Sequence, residues 1–150
     1  MPETDISQYL AYLLASANKR MQHGMSHSVS AEEVTEEHWR ILHVLSDEKG
    51  QSMGELAERV LLNNSALTKN VDKLVSRALV MRAADTADCR RVLVYISDLG
   101  LETVARLKIN VDAHHVNITG MLGARKTEQL KRLLEKFIAS KGVPGDTQFH

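Results

Sequence analysis

Between Arg59 and Arg91 the chain sets seven cations, Arg59, Lys69, Lys73, Arg77, Arg82, Arg90 and Arg91, against three acids, Asp72, Asp85 and Asp88. The whole chain has a formal net charge of zero, so this one segment is positive and the remainder negative. Such a set suits recognition of a polyanion at one face, with the rest of the surface kept from sticking. The plainer alternative is a solvated helix face beside an ordinary hairpin. Spacing favours the first. In "NSALTKNVDKLVSRAL", Leu67, Val71, Leu74 and Val75 recur at steps of four, three and one as a buried stripe. That leaves Ser65, Ala66, Thr68, Lys69 and Asp72 facing outward. Small and hydroxyl-bearing residues near a helix N-terminus let the helix enter a major groove. There, hydroxyls and a lysine meet base edges and phosphates. Arg90 and Arg91 follow a polar turn, and an arginine on such a projection suits a narrow minor groove.

These side chains need elements to hold them. Thr35 reads as an N-cap with Glu36, Glu37 and His38 in the first turn. The helix runs through Trp39, Ile41, Leu42 and Leu45 and is predicted to stop near "SDEKG", with Gly50 as its C-terminal residue. Ser52 and Glu55 form a capping box for a helix that buries Met53, Leu56, Ala57 and Val60. Asn63 and Asn64 make a turn and a further cap. Three short helices, the last two joined by about four residues, have the outline of a helix-turn-helix. After Ala78, "LVMR" reads as a strand, "AADTADCR" as a polar turn and "RVLVYIS" as a second strand. The hairpin makes this a winged helix.

The flanks are helical. Ile6, Leu10, Leu13, Leu14, Ala17 and Met21 predict an amphipathic helix from about residue 5 to 28, followed by a polar connection, "SHSVSAEEV". Leu101, Val104, Leu107, Val111 and Val116 mark a second helix, and Leu130, Leu133, Leu134, Phe137 and Ile138 a third at about 126 to 140. "GVPGDTQFH" reads as a frayed tail. The 43% hydrophobic content supports a core, and 2 prolines and 8 glycines in 150 residues argue for long helices. No stretch reaches the length of a membrane helix. "MPETDISQYL" carries acids where a signal peptide carries basic residues. A single cysteine, Cys89, indicates a reducing cytoplasm.

On "EEHWRILHVL", "SMGELAERVLLNNSALTKNVDKLVSRALVMR" and "DTADCRRVLVYIS", the chain resembles the multiple-antibiotic-resistance regulator (MarR) family of bacterial transcription factors. The fold class is then mainly α with a small β-wing, a winged helix-turn-helix embedded between dimerisation helices. The resemblance implies a homodimer, with 5–34 and 98–140 as dimerisation helices and 35–97 as the DNA-binding region. The terminal helices are apolar on more than one face, which supports this independently. Family recognition maps to Asn64 through Leu79, with Ser65, Ala66, Thr68 and Lys69 nearest the bases and Lys73 and Arg77 further along. Asp88-Cys89-Arg90 matches an Asp-any-Arg wing pattern, in which Arg90 reaches the minor groove and Asp88 orients the wing. Two departures stand out. Ala78 sits where the family usually has glycine. Cys89 sits where it usually has arginine, with Arg91 as a replacement.

The function implied is a repressor that binds a pseudo-palindromic operator in double-stranded DNA and is released by a small aromatic acid or phenol. A cleft between dimer helices and winged domain would use Arg20, His23, His38 and Arg40 as polar groups and Tyr12 and Trp39 as aromatic walls. Trp39 also reads as core. Rival inputs are oxidation of Cys89, whose thiolate Arg90 and Arg91 would stabilise, or a metal on histidines such as His23 and His27. An effector-independent DNA-binding protein is a further alternative. No dense Cys/His cluster and no nucleophile or phosphate-loop motif is present, so neither a metal site, nor a cofactor, nor catalysis is expected.

Overall fold

The computed structural model describes residues 3–141; the tail from 142 to 150 lies outside them. The first helix starts later than its periodicity suggests. The Asp5 carboxylate accepts from the Ser7 amide and nucleates a 3-10 turn, Ile6–Gln8, and the extended Tyr9 separates this from α1 (Leu10–Val29). The predicted polar connection is largely helix. α1 runs on through His27 and Ser28, and a second 3-10 turn, Ser30–Glu32, closes on Glu33 at φ 55°. Two apolar residues in a polar run are the cause: Val29 and Val34 are both buried.

Thr35 opens α2 (Glu36–Leu45) with a capping box whose second member is a histidine. Thr35 Oγ1 accepts from the His38 amide at 3.1 Å, and His38 Nδ1 accepts from the Thr35 amide at 3.3 Å. Gly50 is not the helix terminus. α2 closes at Ser46, and Glu48 at φ 63° turns the chain. Gly50 (φ 75°) lies flat against Tyr95, where a Cβ would sit 2.5 Å from a ring carbon. A two-residue strand, β1 (Gln51–Ser52), follows; periodicity cannot reveal so short an element.

Ser52 then caps α3 (Met53–Val60) in the expected box, with the Glu55 amide on Ser52 Oγ and the Ser52 amide on Glu55 Oε2, both at 3.2 Å. Leu61, at φ 60°, ends the helix in a left-handed turn. Asn63 Oδ1 accepts from the Ala66 amide at 2.8 Å and opens α4 (Asn64–Ser76). The link is thus residues 61–63, one shorter than expected. β2 (Val80–Ala84) and β3 (Val92–Ile96) pair antiparallel, Val80 opposite Ile96 and Ala84 opposite Val92. β1 adds to the other edge of β3, with Gln51 opposite Val94, giving the order β1-β3-β2. α5 (Asp98–Leu122) and α6 (Ala124–Ala139) complete the described chain, with Gly123 at φ 82° between them.

Two compact units divide at Asp112. In the first, Ile41, Leu42 and Leu45 of α2, Leu56 and Val60 of α3, Leu67, Val71 and Leu74 of α4, Val94 of β3 and Leu107 of α5 form one closed core. α5 enters that core through Gly100, where a Cβ would stand 2.2 Å from the Leu79 carbonyl oxygen. In the second unit no described residue is buried. Among the described residues, no helix is long and apolar enough to cross a membrane.

Candidate nucleic-acid interface

The α4 stripe Leu67, Val71 and Leu74 turns the opposite face to solvent: Asn64, Ser65, Thr68, Lys69, Asp72 and Lys73 are all exposed. Ala66 is half-buried, its amide tied to the Asn63 cap. Thr68 Oγ1 donates to the Asn64 carbonyl at 2.8 Å, which leaves its lone pairs as acceptors facing out. Lys69 and Lys73 join no ion pair among the described residues. The helix ends in a Schellman arrangement, with the Ala78 amide on the Val75 carbonyl at 2.9 Å and the Leu79 amide on Leu74 at 3.0 Å. Ala78 is therefore left-handed, at φ 59°.

The wing is folded by its own acids. The Asp85 amide donates to the Arg91 carbonyl at 2.8 Å, and Asp88 accepts the Arg90 amide on its carboxylate at 3.1 Å and the Arg91 amide on its carbonyl at 2.9 Å. That turn leaves Cys89 and Arg90 exposed, Arg90 outside any ion pair among the described residues.

Three other arginines are engaged within the chain. Arg82 of β2 pairs with Asp72 of α4 at 2.5 Å. Arg91 pairs with Glu55 of α3, so it does not stand in for the missing wing arginine as an unpaired charge. The Ser52 amide first, and then the Arg91 guanidinium, hold the Glu55 carboxyl below the ordinary carboxylate range. Arg77 turns away from the outward face of α4. Its guanidinium donates to the Glu33 carbonyl at 2.7 Å and the Glu32 carbonyl at 3.0 Å, and Arg106 of α5 holds the Glu32 carboxylate at 2.7 Å. These pairings join residues far apart in sequence, and no local pattern announces them.

The six expected ligand-cleft residues divide. Tyr12, Arg20 and His23 are exposed on α1. His38 and Trp39 are buried in the single chain, Trp39 stacked on His43 at a 4.9 Å centroid distance. Arg40 is tied to Glu36 at 2.9 Å and donates to the Val60 carbonyl at 2.6 Å, across to the end of α3. A pocket of about 290 Å³ opens beside them but is lined by Gln22, Ser26, Thr35, Glu36 and Glu37, none of the six. Among the described residues no three His, Cys, Asp or Glu side chains gather as a metal site.

Residues 34–92 match the family model described as MarR family. The chain carries a MarR-family domain. The match spans α2 through the first residue of β3, and so contains the α4 face and the whole wing turn. The homoprotocatechuate degradative operon repressor of Escherichia coli is 26% identical over 125 residues, covering 80% of this chain and 84% of that protein. The transcriptional repressor CouR, solved bound to a 23-mer DNA duplex, is 25% identical at a TM-score of 0.82, covering 91% of this chain and 99% of that one. Bordetella bronchiseptica BpsR, solved in a study of its regulation by 6-hydroxynicotinic acid, has a TM-score of 0.85 at 19% identity, covering 93% and 99%. In this MarR-type frame the left-handed Ala78 is the physical meaning of the departure from glycine. An alanine there costs on the order of 1 kcal/mol.

Proposed function

We propose that the chain is a homodimeric transcriptional repressor that binds a pseudo-palindromic operator and is released by a small hydroxylated aromatic acid. The observation that carries the reading is the pairing of an α4 face that offers hydroxyls and a lysine (Ser65, Thr68, Lys69) with a wing arginine, Arg90, outside any ion pair among the described residues. A helix of that kind enters a major groove, and Arg90 follows the adjacent minor groove. Asn64, Ala66 and Lys73 lie along the same path. Asp88 sets the wing turn. Arg77 and Arg91 enter only if DNA displaces their present partners. Residues 35–97 form the DNA-binding region, and 5–34 with 98–140 hold the subunits together.

The ligand class draws on the similar E. coli repressor, which controls degradation of homoprotocatechuate, a hydroxylated aromatic acid. Tyr12, Arg20, His23, His38, Trp39 and Arg40 remain the candidate lining, with His38 and Trp39 reached only if the helices part. The place of action is the bacterial cytoplasm, where the DNA is. The test is selection of duplexes from a random pool, followed by band shifts with hydroxylated phenylacetates and benzoates, peroxide and zinc. Enrichment of a palindrome and release by an aromatic acid are expected. Absence of any enriched duplex rules out the repressor. Release by peroxide alone, abolished in Cys89→Ser, moves the signal to the wing.

A further inference from the structure

The cations of the winged region stand in two states. Arg90, Lys69 and Lys73 join no ion pair among the described residues, whereas Arg91 is held by Glu55. That pair bridges the wing and the first turn of α3, with 44% of the arginine and 52% of the glutamate side chain exposed. In so exposed a place water and salt screen the attraction, so a competitor for the guanidinium can win. A phosphate is such a competitor, since it meets the same two-pronged donor geometry as a carboxylate.

Glu55 is not free to swing aside. One carboxylate oxygen, Oε1, takes Arg91, and the other, Oε2, accepts the Ser52 amide in the capping box at 3.2 Å. A phosphate that captured Arg91 would therefore leave a fixed negative charge beside itself. Arg91 is adjacent to Arg90, the wing residue assigned to the minor groove, so a backbone phosphate along that path comes close to this pair.

We propose that Glu55 keeps Arg91 off the DNA phosphates, and so lowers the affinity of the wing for duplex DNA of arbitrary sequence. The inference rests on the DNA-binding reading above. Binding that reads no bases draws nearly all its affinity from phosphates. A carboxylate that withholds one arginine per subunit therefore weakens non-specific complexes most in proportion, while an operator complex retains its base contacts.

The experiment is fluorescence anisotropy of a random-sequence duplex, about 30 bp to accept a dimer, across a salt series. Glu55→Gln keeps the capping box, because glutamine caps in the same way, and removes the charge. It is expected to bind roughly tenfold more tightly at low salt, with the slope of log K against log salt steeper by about one unit per subunit. Arg91→Gln alone should leave the wild-type slope unchanged, and Glu55→Gln/Arg91→Gln should return to it. An unchanged slope in Glu55→Gln overturns the proposal. So does a slope about one unit per subunit shallower in Arg91→Gln, which leaves the α3 cap intact and serves if Glu55→Gln fails to fold. A wild type that binds no duplex at all overturns the DNA-binding reading itself, a result distinct from either of these.

Discussion

Between Val29 and Leu107 the chain encloses a core of large apolar side chains; from Ala113 onward it buries none of those described. Leu42, Leu56, Leu67, Leu74 and Leu107 are fully enclosed, whereas Leu133 is 65% and Ile138 79% exposed on α6. Both segments carry helical periodicity and both read as amphipathic. The difference is that the first closes its stripe with three helices and a sheet, and the second has two helical pieces in its own unit. An amphipathic helix without enough neighbours in its chain needs a surface from outside it. The winged region is thus a complete recognition module, while α1, with Leu10 60% and Leu13 49% exposed, and the second unit carry the demand for a partner subunit.

The comparison breaks most sharply at Leu134. In the proposed dimer, Leu134→Lys removes a buried leucine from each subunit, worth about 1.5–3 kcal/mol apiece, and puts a charge in its place. Dimer dissociation should strengthen by at least about a hundredfold. Sedimentation velocity should show monomers at micromolar concentration, with operator binding lost. A variant that sediments as a tight dimer places the interface elsewhere.

Gly100→Ala attacks the other side of the comparison. The new Cβ would sit 2.2 Å from a backbone carbonyl that cannot rotate away. A loss of about 1–3 kcal/mol is expected, read from urea unfolding of the winged unit. Retained stability would show that α5 can shift on β2 without cost. Ala78→Gly runs in the opposite direction. It relieves a left-handed alanine and should raise stability by roughly 1 kcal/mol, a few degrees in melting temperature. A drop would show that backbone entropy outweighs the strain.

The smallest effect concerns His38. Burial, and after it the nearby Lys73 and Arg77, hold its imidazole below the ordinary value of 6.5. Its Nδ1 accepts the Thr35 amide, so the proton of the neutral ring lies on Nε2, which forms no hydrogen bond among the described residues. Because the folded pKa is the lower one, the unfolded chain binds the proton first as pH falls. Stability is full above pH 6.5 and declines below it, toward the folded pKa. Urea midpoints in wild type and His38→Gln should converge between neutral pH and about pH 5. Parallel pH profiles would show that His38 does not titrate on unfolding.

What could be read from the sequence follows the range of the interaction. Thr35, Ser52 and Asn63 were legible as caps because a cap is a local pattern of polar type and three-residue spacing. The α4 stripe and the hairpin were legible by period. β1 was not, since two residues have no period. The continuation of α1 was hidden because a single buried valine, Val29, holds its last turn to the core among polar neighbours. Among the arginines, charge alone could not distinguish Arg90, outside any ion pair among the described residues, from Arg91, whose partner lies 36 residues away. Nor could it reveal that Arg77 reaches carbonyls 44 and 45 residues back.

That last contact sets the mechanics of the recognition helix. Arg77 pins the C-terminal end of α4 to the turn after α1, and Arg106 grips the same turn from α5. The 13 residues of α4 make a rod of about 20 Å. A rod hinged at one end moves most at the other. A tilt of roughly 5° about the Arg77 anchor carries the N-terminal tip, with Asn64 and Ser65, through nearly 2 Å on that length. Small rotations of the turn at Glu32 and Glu33 are thereby magnified at the residues placed against the bases.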